Sequence, residues 1–173
     1  MFGKWLTRST LSALDPSAQP LMEVVQRELP NSDQETWIVV TAIASLLGAV
    51  AFADREYSDV EEQRIRAELK LVQGMTPAGI DAISAALRAR IREIATVEVP
   101  QQCNALREIA DYDLRFEILG LLLEVAAADG SISRVESTLL REITQFLGLQ
   151  QNYYTSLQAK HRDKLAMLKR QGS

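Results

Sequence analysis

Four acidic residues recur at one spacing in two stretches of the chain. An aspartate is followed seven residues later by a glutamate in VAFADREYSDVEEQRIR, residues 50–66, and again in VAAADGSISRVESTLLR, residues 125–141. The two stretches align with a constant offset of 75 residues. Carboxylate oxygens are the ligands that hard divalent ions such as Ca²⁺, Mg²⁺ and Mn²⁺ prefer. The candidate metal ligands, called here the four repeated carboxylates, are Asp54, Glu61, Asp129 and Glu136.

Each glutamate also has a structural role open to it. It ends an S-x-x-E pattern, which begins at Ser58 in the first stretch and at Ser133 in the second. This pattern is typical of a capping box, in which the serine and glutamate side chains satisfy free amides at a helix N-terminus. A third such pattern joins Ser32 to Glu35 without an aspartate ahead of it. Capping alone therefore remains an alternative explanation for both glutamates.

The aspartates are predicted to lie where a helix ends. A carboxylate there faces the negative end of the helix dipole, which is unfavourable by about 0.3–1 kcal/mol. Two compensating interactions remain open: an Asx turn within the loop, or a cation shared by the two turns if these lie side by side. The spacing is not that of an EF-hand loop, and one cysteine and one histidine make zinc a poor candidate. Arg55 stands where the second stretch has Gly130, so we expect the first turn to differ in shape.

The elements that carry these residues are predicted to be helices. Apolar residues recur at helical spacing without an alternating strand pattern, which favours an all-α, compact bundle of seven to eight helices. The predicted helices cover about 21–29, 32–53, 58 onward, 76–97, 100–110, 113–128, 133–147 and 151–168. Each stretch then belongs to a three-helix unit, at about 33–97 and 113–168. Packed together, the two units can bury apolar surface that neither unit could bury alone. Residues 1–20 are expected to be loosely held beside one domain over 21–170.

The two units are expected to differ in exposure. The helix after the second turn has a broad apolar face that includes Leu139 and Ile143, whereas the first has Arg64 and Glu68 at the corresponding positions. The first of these helices is therefore predicted to be the more exposed. The uncharged run at 37–53 falls just below the roughly 20 apolar residues of a membrane span, so we predict a buried central helix.

Composition narrows the possible partners and compartments. The 173-residue chain has a formal net charge of −4, which argues against nucleic acid as a partner. Cys103 is the only cysteine, which is compatible with the cytoplasm.

The remaining candidate residues and stretches are expected to have structural roles. Cys103 is predicted to be a core residue and His161 a solvated one, and the chain is not expected to be an enzyme. The basic stretches 88–94 and 160–170 are predicted to be solvated helix faces. The N-terminal MFGKWL suits peripheral contact with a membrane or docking on the domain itself.

The repeated motif resembles that of a known family. A-x-A-D-x-x-[YI]-S-x-V-E after an apolar helix, clearest in AAADGSISRVESTLLREI, resembles the TerB-like, tellurite-resistance-associated helical domains over residues 36–150. Such domains also occur at the N-terminal side of some membrane-anchored J-domain co-chaperones. The resemblance implies an all-helical fold, acidic residues proposed to bind metal, and a non-catalytic role in stress responses. Asp129 and Glu136 match the motif fully, whereas Arg55 departs from it beside Asp54. The alternative is a metal-free adaptor that recruits a protein or the inner membrane face.

Overall fold

The structure of the protein, a computed structural model, describes residues 19–171 and is all-α in that range, with no strand. The predicted fold class is therefore confirmed. The N-terminal MFGKWL lies outside the described residues, as does nearly all of the segment expected to be loosely held. The elements in chain order are α1 (Gln19–Glu28), α2 (Gln34–Ala51), α3 (Asp59–Leu69), α4 (Pro77–Glu93), a π-helical segment (Ile94–Glu98), α5 (Val99–Ile109), α6 (Tyr112–Ala126), α7 (Arg134–Phe146) and α8 (Gln151–Gln171).

Helix α2 forms the centre of the bundle. It packs against α1, α4, α5 and α6 and also touches α3 and α7. By length and composition alone it could cross a membrane, yet 67% of its 18-residue apolar window is buried inside the protein. Small residues let neighbours approach closely: a Cβ added at Gly48 would lie 2.9 Å from Cδ1 of Ile91 on α4. The predicted buried central helix is confirmed.

The capping box predicted for Ser32 and Glu35 is wrong. Helix α2 begins one residue later, with Asp33 as its N-cap. The Asp33 carboxylate accepts a hydrogen bond of 2.8 Å from the amide of Thr36. Hydrogen bonding with the Thr36 side chain and with this amide lowers the pKa of Asp33. Aspartate caps helices about as well as serine does. Ser32 and Asp33 are both residue types that cap helices, and the S-x-x-E pattern predicted Ser32 where the structure has Asp33.

The break predicted between helices at 97 and 100 is also absent. The chain continues from α4 through the π-helical segment into α5. Pro100 lies in the first turn of α5, where it lacks the amide hydrogen needed for a regular α-helical bond. A π-helical turn accommodates such a local mismatch without ending the helix. The segment ends at Glu98, whose buried side chain pairs with Arg90 at 3.0 Å.

Ion pairs join α3, the helix that follows the first turn, to its neighbours α4 and α6. Arg88 on α4 pairs with Glu62 on α3, yet 54% of its side chain is exposed. Arg92 and Glu93 are exposed as well, so the charged residues of the 88–94 stretch form a largely solvated face, as predicted.

Arg64 on α3 pairs with Glu68 at 2.8 Å and with Glu124 on α6. Only 10% of the Glu68 side chain is exposed. Ile143, which holds the corresponding position in α7, is fully buried, so at this pair of positions α3 is slightly the more exposed helix, as predicted.

Candidate functional site

The two aspartate-containing turns, residues 52–58 and 127–133, have the same backbone arrangement. The amide of Arg55 donates to the carbonyl of Phe52 at 2.9 Å, and the amide of Gly130 donates to the carbonyl of Ala127 at 3.0 Å. Both residues have a left-handed backbone, with φ of 71° at Arg55 and 98° at Gly130. The expected difference in shape is therefore wrong. Arg55 adopts the glycine conformation although it costs a residue with a Cβ roughly 1–2 kcal/mol.

Both aspartates form Asx turns. Oδ1 of Asp54 accepts a hydrogen bond of 2.9 Å from the amide of Glu56, and Oδ1 of Asp129 accepts one of 2.9 Å from the amide of Ser131. These bonds compensate for the unfavourable position of each carboxylate at a helix C-terminus. Of the two alternatives left open by the sequence, the Asx turn is thus present in both copies. Within the described residues, Oδ2 of each aspartate accepts no hydrogen bond.

Both glutamates close capping boxes, as predicted. The amide of Ser58 donates to Oε2 of Glu61 at 3.0 Å, and the amide of Ser133 donates to Oε2 of Glu136 at 2.6 Å. The serine hydroxyls accept the reciprocal bonds from the glutamate amides, both at 3.2 Å. Glu61 and Glu136 are buried, with 8% and 6% of their surface exposed. The remaining oxygen, Oε1, accepts no hydrogen bond from the described residues in either case.

The carboxylates of the two turns affect one another electrostatically. Burial raises the pKa of Glu61, and the negative charges of Glu136 and Asp54 raise it further, against the lowering effect of the hydrogen bonds from Ser58. Burial likewise raises the pKa of Glu136, with further contributions from Asp54 and Asp129. Helix α2, which leads into the first turn, contacts α7, which follows the second turn, and α3 contacts α6 in the same way. The helices that flank the two turns therefore pack against one another, and the shared-cation hypothesis depends on this packing.

The four repeated carboxylates do not form a closed coordination shell. Among the residues that the structure describes, no three Asp, Glu, His or Cys side chains are grouped to hold a metal ion. None of the four carboxylates takes part in an ion pair within this part of the chain, although seven ion pairs are formed elsewhere in it. The site therefore combines uncompensated negative charge with oxygen atoms that remain available.

The two other candidate side chains occupy different surroundings. Cys103 is fully buried, and burial raises the pKa of its thiol to about 12, so it is the predicted core residue. His161 on α8 is half-buried and lines a cavity of about 410 Å³ together with Gly130 and Ser131 of the second turn. It is thus less solvated than predicted.

Sequence reasoning missed a groove beside the first turn. It measures about 910 Å³ and runs between the C-terminal end of α2, the end of α4 with the π-helical segment, and α7. Its lining comes from three separate parts of the chain, so no local pattern indicated it. We call it the arginine groove, after the three arginines on its border: Arg55, Arg92 and Arg134.

Comparison with known proteins identifies the family. The family model described as Tellurite resistance protein TerB matches residues 40–159, a range that contains both turns and all four repeated carboxylates. A search of the curated proteins and a search of the solved structures each found no match. The family match covers more than half of the chain and agrees with the resemblance carried by the A-D-G-x-I-S-x-x-E segment. The chain therefore belongs to the tellurite resistance protein TerB family.

Proposed function

We propose that this TerB-family protein binds a divalent cation between its two turns, as a non-enzymatic component of a cytoplasmic stress response. One observation carries the proposal: Glu61 and Glu136 are buried near other carboxylates, and no basic side chain of the described residues is paired with them. Buried negative charge of this kind is stabilised either by a proton or by a cation. At neutral pH a divalent ion competes effectively with the proton.

The available oxygen atoms suit such an ion. Each glutamate retains Oε1 and each aspartate retains Oδ2, whereas the other oxygens serve the capping boxes and Asx turns. Because these oxygens are not already grouped around one point, binding requires local adjustment of the turns or water molecules that complete the shell. Ca²⁺ tolerates irregular coordination, and Mg²⁺ commonly retains several waters. We therefore expect affinity in the range of a sensor or weaker, about 10⁻⁶–10⁻³ M.

Calorimetric titration with Ca²⁺, Mg²⁺ and Mn²⁺ tests the proposal. We expect saturable heat with the wild type for at least one ion, and its loss in the double variant Glu61→Gln/Glu136→Gln. Glutamine can still serve in a capping box, so this variant removes charge while keeping the helix start. Asp129→Ala should weaken binding as well.

Glu35→Gln is the matched control. Glu35 also lies near the N-terminus of a helix, but it is outside both aspartate-containing turns. It should titrate like the wild type. Absence of saturable heat with the wild type, or equal heat in the double variant, would contradict metal binding at these residues.

The second candidate function is a metal-free adaptor for a protein partner or the inner membrane face. The arginine groove supports it, because the groove exposes apolar side chains beside arginines that have no ion pair within the described residues. The same titration separates the two functions, since an adaptor whose carboxylates only shape the turns gives no saturable heat.

A further inference from the structure

We propose that the arginine groove binds an acidic, amphipathic α-helix of another protein. The groove adjoins the first turn through Phe52, Ala53 and Arg55, but none of the four repeated carboxylates lines it. The inference does not depend on a bound cation. The groove combines an apolar floor with positive charge at its border, and each property restricts the kind of partner that fits.

The apolar part of the groove is open to solvent. Val135 on α7 is 53% exposed, and Phe52 and Leu139 are half-buried beside it. Small side chains form the rest of the floor, at Ala49, Ala53 and Ala95. Small residues leave room for the side chains of a partner. A floor of this kind favours leucine-sized side chains inserted from outside.

The charge of the groove is opposite to that of the whole chain. The three arginines of the groove are exposed and form no ion pair with any described residue, and Glu142 is the one acidic residue in the lining. Nearby arginines on α3 and α4, such as Arg64 and Arg88, are paired with glutamates. The protein has a net charge of −4. Three unpaired guanidinium groups in one place therefore attract carboxylates locally, and the positive end of the α7 dipole beside Arg134 adds to the attraction.

Comparison with the positions 75 residues away shows that packing does not require an open groove. Ala49 and Leu139 both line the groove, and their counterparts are Glu124 and Arg64, which form an ion pair between α6 and α3. The contact between α3 and α6 is thus filled by an ion pair, whereas the corresponding contact between α2 and α7 is apolar and open. The open groove is a feature of one side only.

The dimensions favour a helix over a lipid headgroup. The part of α7 that lines the groove runs from Arg134 to Glu142, which corresponds to about 12 Å, or two helical turns. The three arginines belong to three separate elements, so together they suit several carboxylates distributed along a helix. Glu142 at the far end disfavours a uniformly anionic surface such as a membrane. Recognition by an apolar groove with charged borders is a common way to bind an amphipathic helix.

Fluorescence anisotropy with a labelled synthetic peptide tests the inference. The peptide has leucines at i, i+3, i+4 and i+7 and glutamates at the other positions, and a second peptide has lysines in place of the glutamates. Measured in EDTA, the wild type should bind the acidic peptide and not the basic one. Arg92→Glu and Val135→Ser should each weaken binding by about tenfold, equivalent to about 1.4 kcal/mol.

The chain offers a matched control for each variant. Val60 is 50% exposed and holds the same place in α3 that Val135 holds in α7, so Val60→Ser should leave binding unchanged. Arg107 lies in the last turn of α5 as Arg92 does in α4, so Arg107→Glu should also have no effect. Circular dichroism verifies that each variant is folded.

Three results would overturn the inference. These are no binding of the acidic peptide, equal binding of both peptides, and loss of binding that is the same in the groove and control variants. Binding to phosphatidylglycerol vesicles without binding to the acidic peptide would assign the groove to a membrane surface instead.

Discussion

Glu136 lies near enough to Glu61 to raise the pKa of its carboxyl group, although 75 residues separate the two in the chain. Each glutamate is the third residue of its helix, and each is held by a capping serine. The capping boxes thus fix the positions of two like charges that interact with each other. This relationship joins the two turns into one candidate site and leads to the following predictions.

The stability of the metal-free protein should decrease as the pH rises above the ordinary glutamate pKa of 4.5. Because the folded-state pKa of Glu61 and Glu136 is raised, the folded protein binds more protons than the unfolded chain between that value and the raised pKa. Folding is therefore favoured at the acidic end of this window and weakened as the pH passes the raised pKa. Urea unfolding in EDTA across this range should show a shallower decrease for Glu61→Gln/Glu136→Gln than for the wild type. Identical slopes would show that these two groups are not responsible.

A double-mutant cycle on Glu61 and Glu136 should reveal direct coupling. At neutral pH in EDTA, replacement of either residue by glutamine removes the repulsion between the two carboxylates. The second replacement should therefore raise the free energy of unfolding by less than the first. We expect a coupling free energy of unfolding of about 0.5–1 kcal/mol, at the lower end of the range for residues that interact with each other. Additive effects in urea unfolding would mean that the two carboxylates do not interact. A cycle on Glu35 and Glu136 provides the uncoupled reference.

Exchange of residues at the left-handed position should change stability in opposite directions. Arg55→Gly removes a strained conformation at φ 71° and should stabilise the protein by about 0.5–1 kcal/mol. Gly130→Ala should destabilise it by about 1 kcal/mol through backbone strain alone, because nothing lies within 4 Å of the added Cβ. Thermal unfolding of the two variants checks both signs. A destabilised Arg55→Gly would indicate that the arginine side chain makes a contribution larger than the strain.

Replacement of Ser32 and of Asp33, the two residues that could cap α2, should lower the free energy of unfolding by unequal amounts. Asp33→Ala removes the bond to the amide of Thr36 and should cost about 1 kcal/mol. Ser32→Ala should be nearly neutral, because the Ser32 side chain caps nothing in the described structure. Urea unfolding at neutral pH measures both. The reverse order would restore the capping box that the sequence suggested.

Local chemistry made much of the fold predictable from the sequence. The apolar spacing indicated the helices, and the S-x-x-E pattern located the starts of α3 and α7. The same reasoning failed at Ser32, where an equally good cap was adjacent, and at Pro100, where a π-helical segment replaced the expected break. The left-handed Arg55 was missed because residue propensity is a weaker constraint than the hydrogen bonds of the turn.

The candidate site was predictable only in part. Repetition identified the four repeated carboxylates, and a shared cation requires the two turns to lie side by side. The distances between their oxygens depend on how α2, α3, α6 and α7 pack, which no local pattern encodes. The arginine groove was missed for the same reason, since only tertiary packing brings Arg92 and Arg134 to the border of one groove.

Paramagnetic broadening by Mn²⁺ tests the shared site most directly. In ¹H–¹⁵N spectra with substoichiometric Mn²⁺, the amide signals of Ser58, Glu61, Ser133 and Glu136 should broaden together and before those of Glu23 and Glu108, which are exposed acidic residues elsewhere. Excess Mg²⁺ or Ca²⁺ should restore the signals if these ions use the same site. Broadening at one turn only, or equal broadening at all exposed acidic residues, would contradict a cation held between the two turns.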